Sequence, residues 1–561
     1  MKKLYLSILS ILSIIPLLNA QLYPEDYDKV DFAFDSLYSY KYQQFLRSKD
    51  SIALVKLYED LNEKISDARN TNELTISNST IHTLPQSFNQ LSELESLGFI
   101  NCRQLDIQTV IEQVSVIPNL KSLSFINCGL YSLSENIAKL ENLEYLSIKE
   151  NKIVQLPEAI KSLKMLKHLN VSNNRLLNED LLFQLLNEAP QISHLEANYC
   201  AIRKLPNLGL SKLNQLSLAG NLLQELNDMI RAESLDLSSN PYLNLEISIE
   251  QLAANGNLKS LNLAYNSFAE LPSNVQKLNK LESLNLRGNE LTSLPESIGL
   301  LTKLKVLKID NPDSYVYSNQ IKELPASIGN LHDLDSLFLA GNQLAGLPTS
   351  FANLKALRYL DLSWNSFESF PKSVLEISSL EHLNIAINHV REIPNEIEKL
   401  NQLRYFNCQG DFFVNYQLKI KELPESIGKL TSLEALILSD NVIEVLPESI
   451  GRCVRLKTLD LKDNLLSTLP NSFGNLSELS ILNLKANELI VLPSSIENLQ
   501  NLAELNLGFN FSLNSEQASQ ILSKLPDLYI LDIRDAYFSE AAVNRLFSAL
   551  PNTKIITSAE E

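Results

Sequence analysis

The chain has 561 residues and a formal net charge of −18, from 66 acidic and 48 basic residues. Nucleic acids and anionic membrane surfaces attract proteins with clustered Lys and Arg, so this balance argues against both kinds of partner. Gly and Pro are modest, at 15 and 21 residues, and charged residues make up 20%, so the composition does not suggest extended disorder.

The first twenty residues, 1–20, have the pattern of a secretory signal peptide. Lys2 and Lys3 precede an apolar run from Leu4 to Leu18, and Ala20 supplies a small residue for cleavage. This run is shorter than the roughly 20 residues of a comfortable membrane span. We therefore expect an exported mature chain, which is periplasmic, on the cell surface or secreted, and which does not insert into the membrane.

Residues 21–70 lack the sequence period that governs the rest of the chain. Helical apolar spacing appears within them, in the stretch DSIALVKLYEDLNEKI. We interpret residues 21–70 as an N-terminal capping segment, because an uncovered sheet edge invites aggregation.

From about residue 71 the chain repeats one pattern. Residues 258–272 (LKSLNLAYNSFAELP), 281–295 and 357–371 share the frame L-x-x-L-x-L-x-x-N-x-L-x-x-L-P. About twenty frames begin between Thr71 and Leu528, mostly 23 residues apart, with some spacings of 26 and two of 30. The alternating leucines place one apolar row along a short strand, which a single repeat cannot bury. Stacked repeats bury that row as a parallel sheet over a continuous core.

This frame resembles the leucine-rich repeat. Its Leu-Pro step and 23-residue period resemble the class shared by SDS22-like, Shoc-2-like and plant Ras-group-related proteins, here in an exported bacterial type. The resemblance covers roughly residues 70–538. It implies an α/β leucine-rich repeat solenoid, with a curved parallel β-sheet on the concave face and short helices, 3-10 turns and loops on the convex face. We expect the solenoid to occupy residues 71–538 and a C-terminal helical cap to occupy residues 539–561.

The repeats with 26-residue spacing have room for a true helix on the convex side. QTVIEQVSVI from Gln108 and EDLLFQLLNEA from Glu179 show helical apolar spacing. SEQASQILSKL from Ser515 and SEAAVNRLFSAL from Ser539 each begin with a serine, which predicts a serine N-cap for both helices.

The Asn of the frame falls where each strand turns, and its amide can bond backbone groups that the turn leaves unpaired. Cys102, Cys128 and Cys200 occupy this position, which matches the Asn-or-Cys alternative of the family that the chain resembles. The five cysteines do not form a disulfide framework, and we interpret them as buried fillers. Cys102 and Cys128 are the one pair in adjacent repeats that could cross-link.

The residue after the first position of each frame alternates in charge. The alternation runs from Glu233 to Lys457 and also from Glu95 to Lys167. It is consistent with a charged docking track, or with a ladder that favours correct stacking at a few tenths of a kcal/mol for each exposed pair. We favour the ladder, because alternating charges neutralise one another along the row.

One window of the expected concave face is aromatic. Tyr359, His382 and Tyr405 share a frame position in three successive repeats and should form a lateral row. Phe338 and Trp364, the only tryptophan, should lie nearby on the same surface. A second set of small residues predicts a shallow groove beside the rings, and it comprises Ala340, Ser363 and Ala386.

Two repeats of 30 residues bracket this window. Each carries seven extra residues at the same point of the frame, so two loops should leave one edge of the sheet, roughly 20 Å apart by strand spacing. Their aromatic residues are Tyr315 and Tyr317 in the first loop and Phe412, Phe413 and Tyr416 in the second. We interpret the loops and the window as a site for a protein or peptide, or for a glycan, because exposed aromatic residues anchor recognition surfaces. The alternative is that the loop aromatics pack down on the repeat edge.

No phosphate-binding loop, H-E-x-x-H motif or C-x-x-C pair is present, and we expect no cofactor. His168 and His194 share a frame position with Glu196 nearby, but a metal site would need a further ligand, so we interpret them as polar surface residues. The sequence predicts a non-catalytic protein-binding scaffold. One alternative is a secreted or surface effector or adhesin that binds host proteins or glycans. A remote alternative is an enzyme or metal-binding protein that uses concave-face His and acidic residues.

Overall fold

Stacked short strands form the body of the protein. The computed structural model describes residues 72–207, 210, 212–311, 318–412, 417 and 419–557. Within them each strand pairs in parallel with the next one along the chain, with one leucine-rich frame for each strand before the last. The strands are β1 (Glu73–Ser77), β2 (Ser96–Ile100), β3 (Ser122–Ile126), β4 (Tyr145–Ser147), β5 (His168–Asn170), β6 (His194–Glu196), β7 (Gln215–Ser217), β8 (Ser234–Asp236), β9 (Ser260–Asn262), β10 (Ser283–Asn285), β11 (Val306–Lys308), β12 (Ser336–Phe338), β13 (Tyr359–Asp361), β14 (His382–Asn384), β15 (Tyr405–Asn407), β16 (Ala435–Ile437), β17 (Thr458–Asp460), β18 (Ile481–Asn483), β19 (Glu504–Asn506), β20 (Ile530–Asp532) and β21 (Lys554–Ile556).

In the described ranges, five short α-helices and a series of 3-10 helices return the chain on the opposite side of the core. The α-helices are α1 (Ile107–Val114), α2 (Glu179–Glu188), α3 (Leu245–Ala253), α4 (Ser515–Leu522) and α5 (Glu540–Ala549). The 3-10 helices are Gln86–Gln90, Glu135–Lys139, Glu158–Ser162, Ser273–Lys277, Glu296–Leu300, Ala326–Asn330, Thr349–Asn353, Val374–Glu376, Asn395–Lys399, Glu425–Lys429, Glu448–Arg452, Asn471–Asn475 and Ser494–Asn498. The predicted fold class, an open curved α/β solenoid, is confirmed. No helix in the described ranges is long and apolar enough to cross a bilayer.

The helix caps follow the sequence prediction in one case and depart from it in another. Ser539 caps α5 as predicted, accepting a hydrogen bond from the amide of Ala542. The prediction that Ser515 caps α4 is wrong, because Ser515 is already the first helical residue. Asn514 is the cap, and its side chain accepts from the amide of Gln517 at 3.1 Å. Asparagine serves as well as serine in this role.

The structure describes the C-terminal end of the predicted solenoid but not the segments predicted before it. The predicted signal peptide at 1–20 and capping segment at 21–70 lie outside the described residues. At the other end, α5 is followed by β21, which pairs with β20. The sheet therefore continues into residues 539–561, past the last predicted frame.

Hydrogen bonds from a ladder of buried asparagines join each repeat to its neighbour. The Asn289 amide nitrogen donates to the carbonyl oxygens of Leu263 and Leu286, each at 2.9 Å. Its side-chain oxygen accepts from the amides of Asn266 and Phe268, at 3.0 and 3.1 Å. The amide nitrogen also donates a longer bond to the Arg287 carbonyl at 3.4 Å, so one side chain bonds five backbone groups in two repeats, as buried polar groups require.

Cysteine fills the same position in three repeats. The Cys102 thiol lies 3.5 Å from the carbonyl oxygen of Ile76, so it partly replaces the asparagine amide. All five cysteines are buried with free thiols, which confirms their interpretation as buried fillers. Burial raises the pKa of the Cys128 and Cys200 thiols to about 11, which keeps them protonated at neutral pH.

Neighbouring 3-10 helices approach one another at glycines. A Cβ atom at Gly428 would lie 2.3 Å from the carbonyl oxygen of Ser449 in the next repeat. Gly299 has the same relationship to Ser327, also at 2.3 Å. The glycine of the S-I-G segment therefore allows adjacent repeats to stack closely on the convex side.

Candidate functional site

A stack of rings lies on strands β13, β14 and β15. Tyr359, His382 and Tyr405 are paired in register, as their shared frame position predicts. The ring centroids of Tyr359 and His382 are 4.2 Å apart with planes at 15°, and those of His382 and Tyr405 are 4.1 Å apart with planes at 4°. These are face-to-face contacts, so the two tyrosines sandwich the imidazole.

Phe338 of β12 extends the stack by one ring. Its centroid lies 4.7 Å from that of Tyr359, with the planes tilted by 32°. Phe338 pairs across the sheet with Asp361 rather than Tyr359, so it reaches the stack diagonally. The ammonium nitrogen of Lys308 lies 5.3 Å from the Phe338 ring centroid, a cation–π contact at this end. We call Phe338, Tyr359, His382 and Tyr405 the aromatic row.

The aromatic row carries uncharged polar groups at neutral pH. Burial lowers the pKa of His382 to about 4, so its imidazole is neutral. Burial, together with the nearby Asp361 carboxylate, raises the pKa of Tyr359 to about 12. Burial also raises the pKa of Tyr405. The row therefore offers phenol and imidazole hydrogen-bonding groups with no net charge.

The carboxylates of Asp361 and Asp310 form hydrogen bonds in the surface beside the aromatic row. Asp361 accepts hydrogen bonds from the Ser363 amide at 2.9 Å and hydroxyl at 2.6 Å, while its burial raises the pKa of the carboxyl. Asp310 is almost fully buried and binds Arg287 through two hydrogen bonds, at 3.0 and 2.6 Å. A two-pronged guanidinium–carboxylate pair is rigid, so it gives this part of the surface a defined shape.

Trp364 projects from the turn that follows β13. Its side chain is 55% exposed and its backbone has a φ of +56°. Its amide donates to the carbonyl oxygen of Ala386 at 3.0 Å, which fixes the turn against the next repeat. The left-handed conformation costs a non-glycine residue roughly 1–2 kcal/mol. The same frame position is left-handed in other repeats, at Ile387 and Asp463, so the conformation belongs to the repeat and the exposed indole is what distinguishes Trp364.

The small residues predicted to form a groove do line up across the repeats. The Gly341 amide donates to the Ser363 carbonyl at 2.9 Å, and the Trp364 amide to that of Ala386. Ser363 and Ala386 are buried, and Ala340 is half-buried. Trp364 therefore lies beside a row of short side chains.

The two predicted aromatic loops are only partly described. Tyr315, Tyr317, Phe413 and Tyr416 lie outside the described residues. Phe412 is described and is 71% exposed, at the start of the second loop.

Hydrogen bonds close the base of the first loop. The Asn311 side chain accepts from the Asn319 amide at 2.8 Å and donates to the Asn319 carbonyl at 3.0 Å. Asn319 occupies the ladder position and donates to the carbonyl of Leu286 at 3.0 Å. The insert therefore lies between the strand and the ladder asparagine and leaves the stacking of the repeats intact.

Sequence-family models for leucine-rich repeats match most of this chain. The model described as a leucine-rich repeat region matches residues 314–411 and 425–560. Two others described as leucine-rich repeats match residues 118–176, and residues 257–278 and 280–301. The matched segments contain fifteen of the twenty-one described strands, which are β3 to β5, β9, β10 and β12 to β21. The chain is a leucine-rich repeat protein.

Several solved structures are similar to this leucine-rich repeat protein. A Leptospira interrogans LRR protein is 26% identical over 88% of this chain and 98% of its own, with a TM-score of 0.44. A plant peptide hormone receptor, RGFR1 in complex with RGF2, is 22% identical over 87% of this chain and 86% of its own, with a TM-score of 0.51. TLR13 in complex with ssRNA13 is 24% identical over 88% of this chain and 82% of its own, with a TM-score of 0.57. The two receptor structures establish a shared fold. None of the curated proteins compared with the chain matches it.

The alternating charges of this leucine-rich repeat protein pair across adjacent strands. Glu434 lies 2.5 Å from Arg404 and 2.9 Å from Lys457, one on each side. Lys305 and Glu282 are 2.6 Å apart in the same row. A broad depression of about 700 Å³ opens beside these ion pairs rather than beside the aromatic row, and it is lined by Lys305, Val306, Asp333, Asp335, Ala356 and Arg358. The pairing agrees with the ladder interpretation, because charges that neutralise one another attract a ligand weakly.

A second ring cluster of the leucine-rich repeat protein was missed in part by sequence reasoning. Tyr145, His168 and His194 lie in register on β4, β5 and β6. The Tyr145 ring meets the His168 ring edge-on at 4.7 Å, and His168 Nε2 is 2.7 Å from Glu196 Oε1. Tyr145 has the same frame position as both histidines, and this shared position is the feature of the sequence that could have revealed the cluster.

No group of three or more His, Cys, Asp or Glu in the described ranges is arranged to hold a metal. The pair formed by His168 and Glu196 is accounted for by their mutual hydrogen bond.

Proposed function

We propose that this leucine-rich repeat protein is a non-catalytic scaffold that binds an extended segment of a protein partner along the aromatic row and Trp364. The family and fold support a protein-interaction scaffold in general terms. The observation that carries the particular site is the four-ring stack on the concave strands, with exposed Trp364 beside it. Aromatic rings of this kind are the usual anchors of protein interfaces.

A peptide fits this surface better than a glycan does. Sugars bind aromatic residues mainly through open ring faces, but here Tyr359 and Tyr405 cover both faces of His382. Apart from the outer face of Tyr405, what remains accessible in the row is ring edges and polar tips, which suit the hydrogen-bonding groups of a peptide backbone. A plant receptor of the same fold has been solved in complex with RGF2, whereas TLR13 has been solved with ssRNA13. The charge of −18 makes RNA the less favoured ligand for this chain.

The two inserted loops are proposed as the rims of the site. They are the segments that contain Tyr315 and Tyr317, and Phe412, Phe413 and Tyr416. The first follows β11, the strand next to Phe338 on β12, and the second follows β15, which carries Tyr405 at the other end of the row. An exposed Phe412 at the start of the second loop supports this assignment.

The test is affinity capture from the source organism with quantitative mass spectrometry. The variant Tyr359→Ala with Trp364→Ala removes one ring of the row and the exposed indole. The control is Tyr242→Ala, which removes an exposed tyrosine, 63% accessible, far along the chain from the aromatic row. We expect the wild type and the control to capture the same protein and the double variant to lose it. Equal capture by the folded double variant would place the site elsewhere.

We also propose that the protein acts after export and belongs to the 23-residue class of exported bacterial type. The basic and apolar pattern of residues 1–20 supports export. Mass spectrometry of the protein purified from cell fractions and culture medium tests this. The expected N-terminus is Gln21. An intact Met1 on the functional protein inside the cell would contradict the proposal.

A further inference from the structure

We propose that the surface above Ala435 is a subsite for an aromatic side chain of the partner, which stacks on Tyr405 and continues the aromatic row by one ring. This inference rests on the proposed function and adds the chemistry of one contact. Tyr359, His382 and Tyr405 share one frame position in successive strands, and β16 supplies Ala435 at that position. The methyl group of Ala435 therefore follows three rings.

The two ends of the aromatic row are unlike. At the β12 end, the Lys308 ammonium lies over the Phe338 ring and occupies that end. At the β15 end, Tyr405 stacks on His382 on one side only, and its register partner on the other side is Ala435. Among the described residues no ring covers that second face. The spacing inside the row, 4.1 to 4.7 Å between centroids, matches the separation of adjacent strands, so one further ring would stand above β16.

The surroundings of this position favour a flat apolar group. Thr458 of β17 is the next residue in the row, and its branched side chain closes the far side. Ile437 lies on β16 two residues beyond Ala435, where it pairs with Asn407 and is half-buried. A ring placed between Tyr405 and Thr458 would therefore contact both of these residues with its two faces and Ile437 with one edge.

Charged groups border the position on its remaining side. Glu434 precedes Ala435 and holds both Arg404 and Lys457, at 2.5 and 2.9 Å. These side chains are already paired, so they form a polar margin instead of filling the space. An apolar ring surrounded by a polar margin is the usual arrangement of an interface anchor. Ring stacking adds attraction beyond the area that it buries, which favours an aromatic over an aliphatic side chain.

The proposal is tested with N-acetyltryptophanamide and N-acetylleucinamide as probes, observed by saturation-transfer NMR. Ala435→Phe fills the position with the protein's own ring. Ser283→Phe is the matched control, because it adds the same ring at the same frame position between Ser260 and Val306, away from the aromatic row. Circular dichroism checks the folding of each variant.

We expect the wild type and Ser283→Phe to give a tryptophanamide signal several-fold stronger than the leucinamide signal, and Ala435→Phe to lose most of it. Tyr405→Leu removes the stacking face without adding bulk and should show the same loss, so it carries the test if Ala435→Phe does not fold. Equal signals from the two probes, no signal from either, or an unchanged signal in folded Ala435→Phe would each overturn the subsite.

The partner-capture assay separates this failure from failure of the proposed function. If capture is lost in Tyr359→Ala with Trp364→Ala but retained in Ala435→Phe, the proposed scaffold function stands and only the subsite is contradicted. If the double variant still captures the partner, the proposed binding surface itself is contradicted.

Discussion

The imidazole of His382 lies parallel to the phenol ring of Tyr405, with centroids 4.1 Å apart and planes at 4°. Tyr359 covers the opposite face of the imidazole at 4.2 Å. The histidine is thus removed from water on both faces, and this desolvation lowers its pKa to about 4. The contact that builds the binding surface therefore also ties the stability of the fold to pH.

We predict that His382 weakens the protein as the pH falls from about 6.5 to about 4. The pKa of histidine is about 6.5 in an unfolded chain, and in the fold that of His382 is about 4. Between these values the unfolded chain binds a proton that the native protein does not, so acid favours unfolding through this group. Above pH 6.5 neither state is protonated and the effect is absent.

His382→Gln removes this acid sensitivity, so its melting temperature should fall less between pH 7 and pH 5 than that of the wild type. Its melting temperature at pH 7 is expected to be lower, because two ring contacts are lost. His332→Gln, at an exposed histidine, is the control and should follow the wild-type pH dependence. Parallel curves for all three proteins would show that His382 is not the responsible group.

We predict a large stability cost for Asn289→Ala. The substitution removes three donated and two accepted hydrogen bonds. It leaves five backbone groups without that partner, those of Leu263, Leu286, Arg287, Asn266 and Phe268. Buried groups that lose their partners cost about 1–3 kcal/mol each, so we expect a loss of at least about 2 kcal/mol.

Asn285→Ala is the matched control for the ladder, because Asn285 lies on the strand face of the same repeat. Its side chain accepts a hydrogen bond from the Arg287 amide at 3.1 Å. Urea unfolding followed by circular dichroism compares the two variants. Equal losses would mean that the ladder does not hold neighbouring repeats together.

The repeating features of the fold follow from the sequence, because the same frame of residues recurs about twenty times. Buried leucines, the asparagine ladder and the register of Tyr359 with His382 all follow from frame positions. Features that occur once are harder to predict. The cap of α4 moved from Ser515 to Asn514, since two adjacent residues were both suitable caps and only the backbone distinguishes them.

The surroundings of the candidate site were also only partly predictable. The frame placed Tyr359, His382 and Tyr405 in one row, but it did not show that Lys308 covers Phe338. Nor did it pair Arg287 with Asp310. Each contact joins residues at the same frame position of adjacent repeats, and Lys308 and Phe338 are direct register partners. The repeat therefore brings each pair side by side, but whether the two side chains meet depends on their rotamers.

We predict that Gly428→Ala destabilises the protein although alanine is the better helix former. The added Cβ would lie 2.3 Å from the Ser449 carbonyl oxygen, which belongs to backbone and cannot move away cheaply. Overpacking of this kind costs about 1–3 kcal/mol. Gly346→Ala is the control, since nothing lies within 4 Å of its added Cβ, and it should leave stability equal or slightly higher. Thermal unfolding measures both, and a stable Gly428→Ala variant would show that the 3-10 helices have room to separate.

Trp364 offers a way to separate binding from folding. Trp364→Gly relieves a left-handed backbone at φ +56°, worth roughly 1–2 kcal/mol. Against this, glycine makes the unfolded chain more favourable by about 0.5–1 kcal/mol. Because the indole is 55% exposed, little packing is lost, and we expect a melting temperature equal to or slightly above that of the wild type. Capture of the partner should nevertheless fall by about tenfold or more, as for an interface anchor.

Tyr537→Gly is the control for this change, because Tyr537 also has a left-handed backbone, at φ +51°, and is 73% exposed. It lies near the C-terminal end of the sheet, after β20, so its loss should leave partner capture unchanged. Reduced capture by Trp364→Gly alone, at preserved stability, would assign the strain at Trp364 to recognition. Equal capture by both variants would instead make the tryptophan a tolerated surface residue, since the backbone at this frame position is left-handed in other repeats as well, with aspartate at Asp463 and alanine at Ala486.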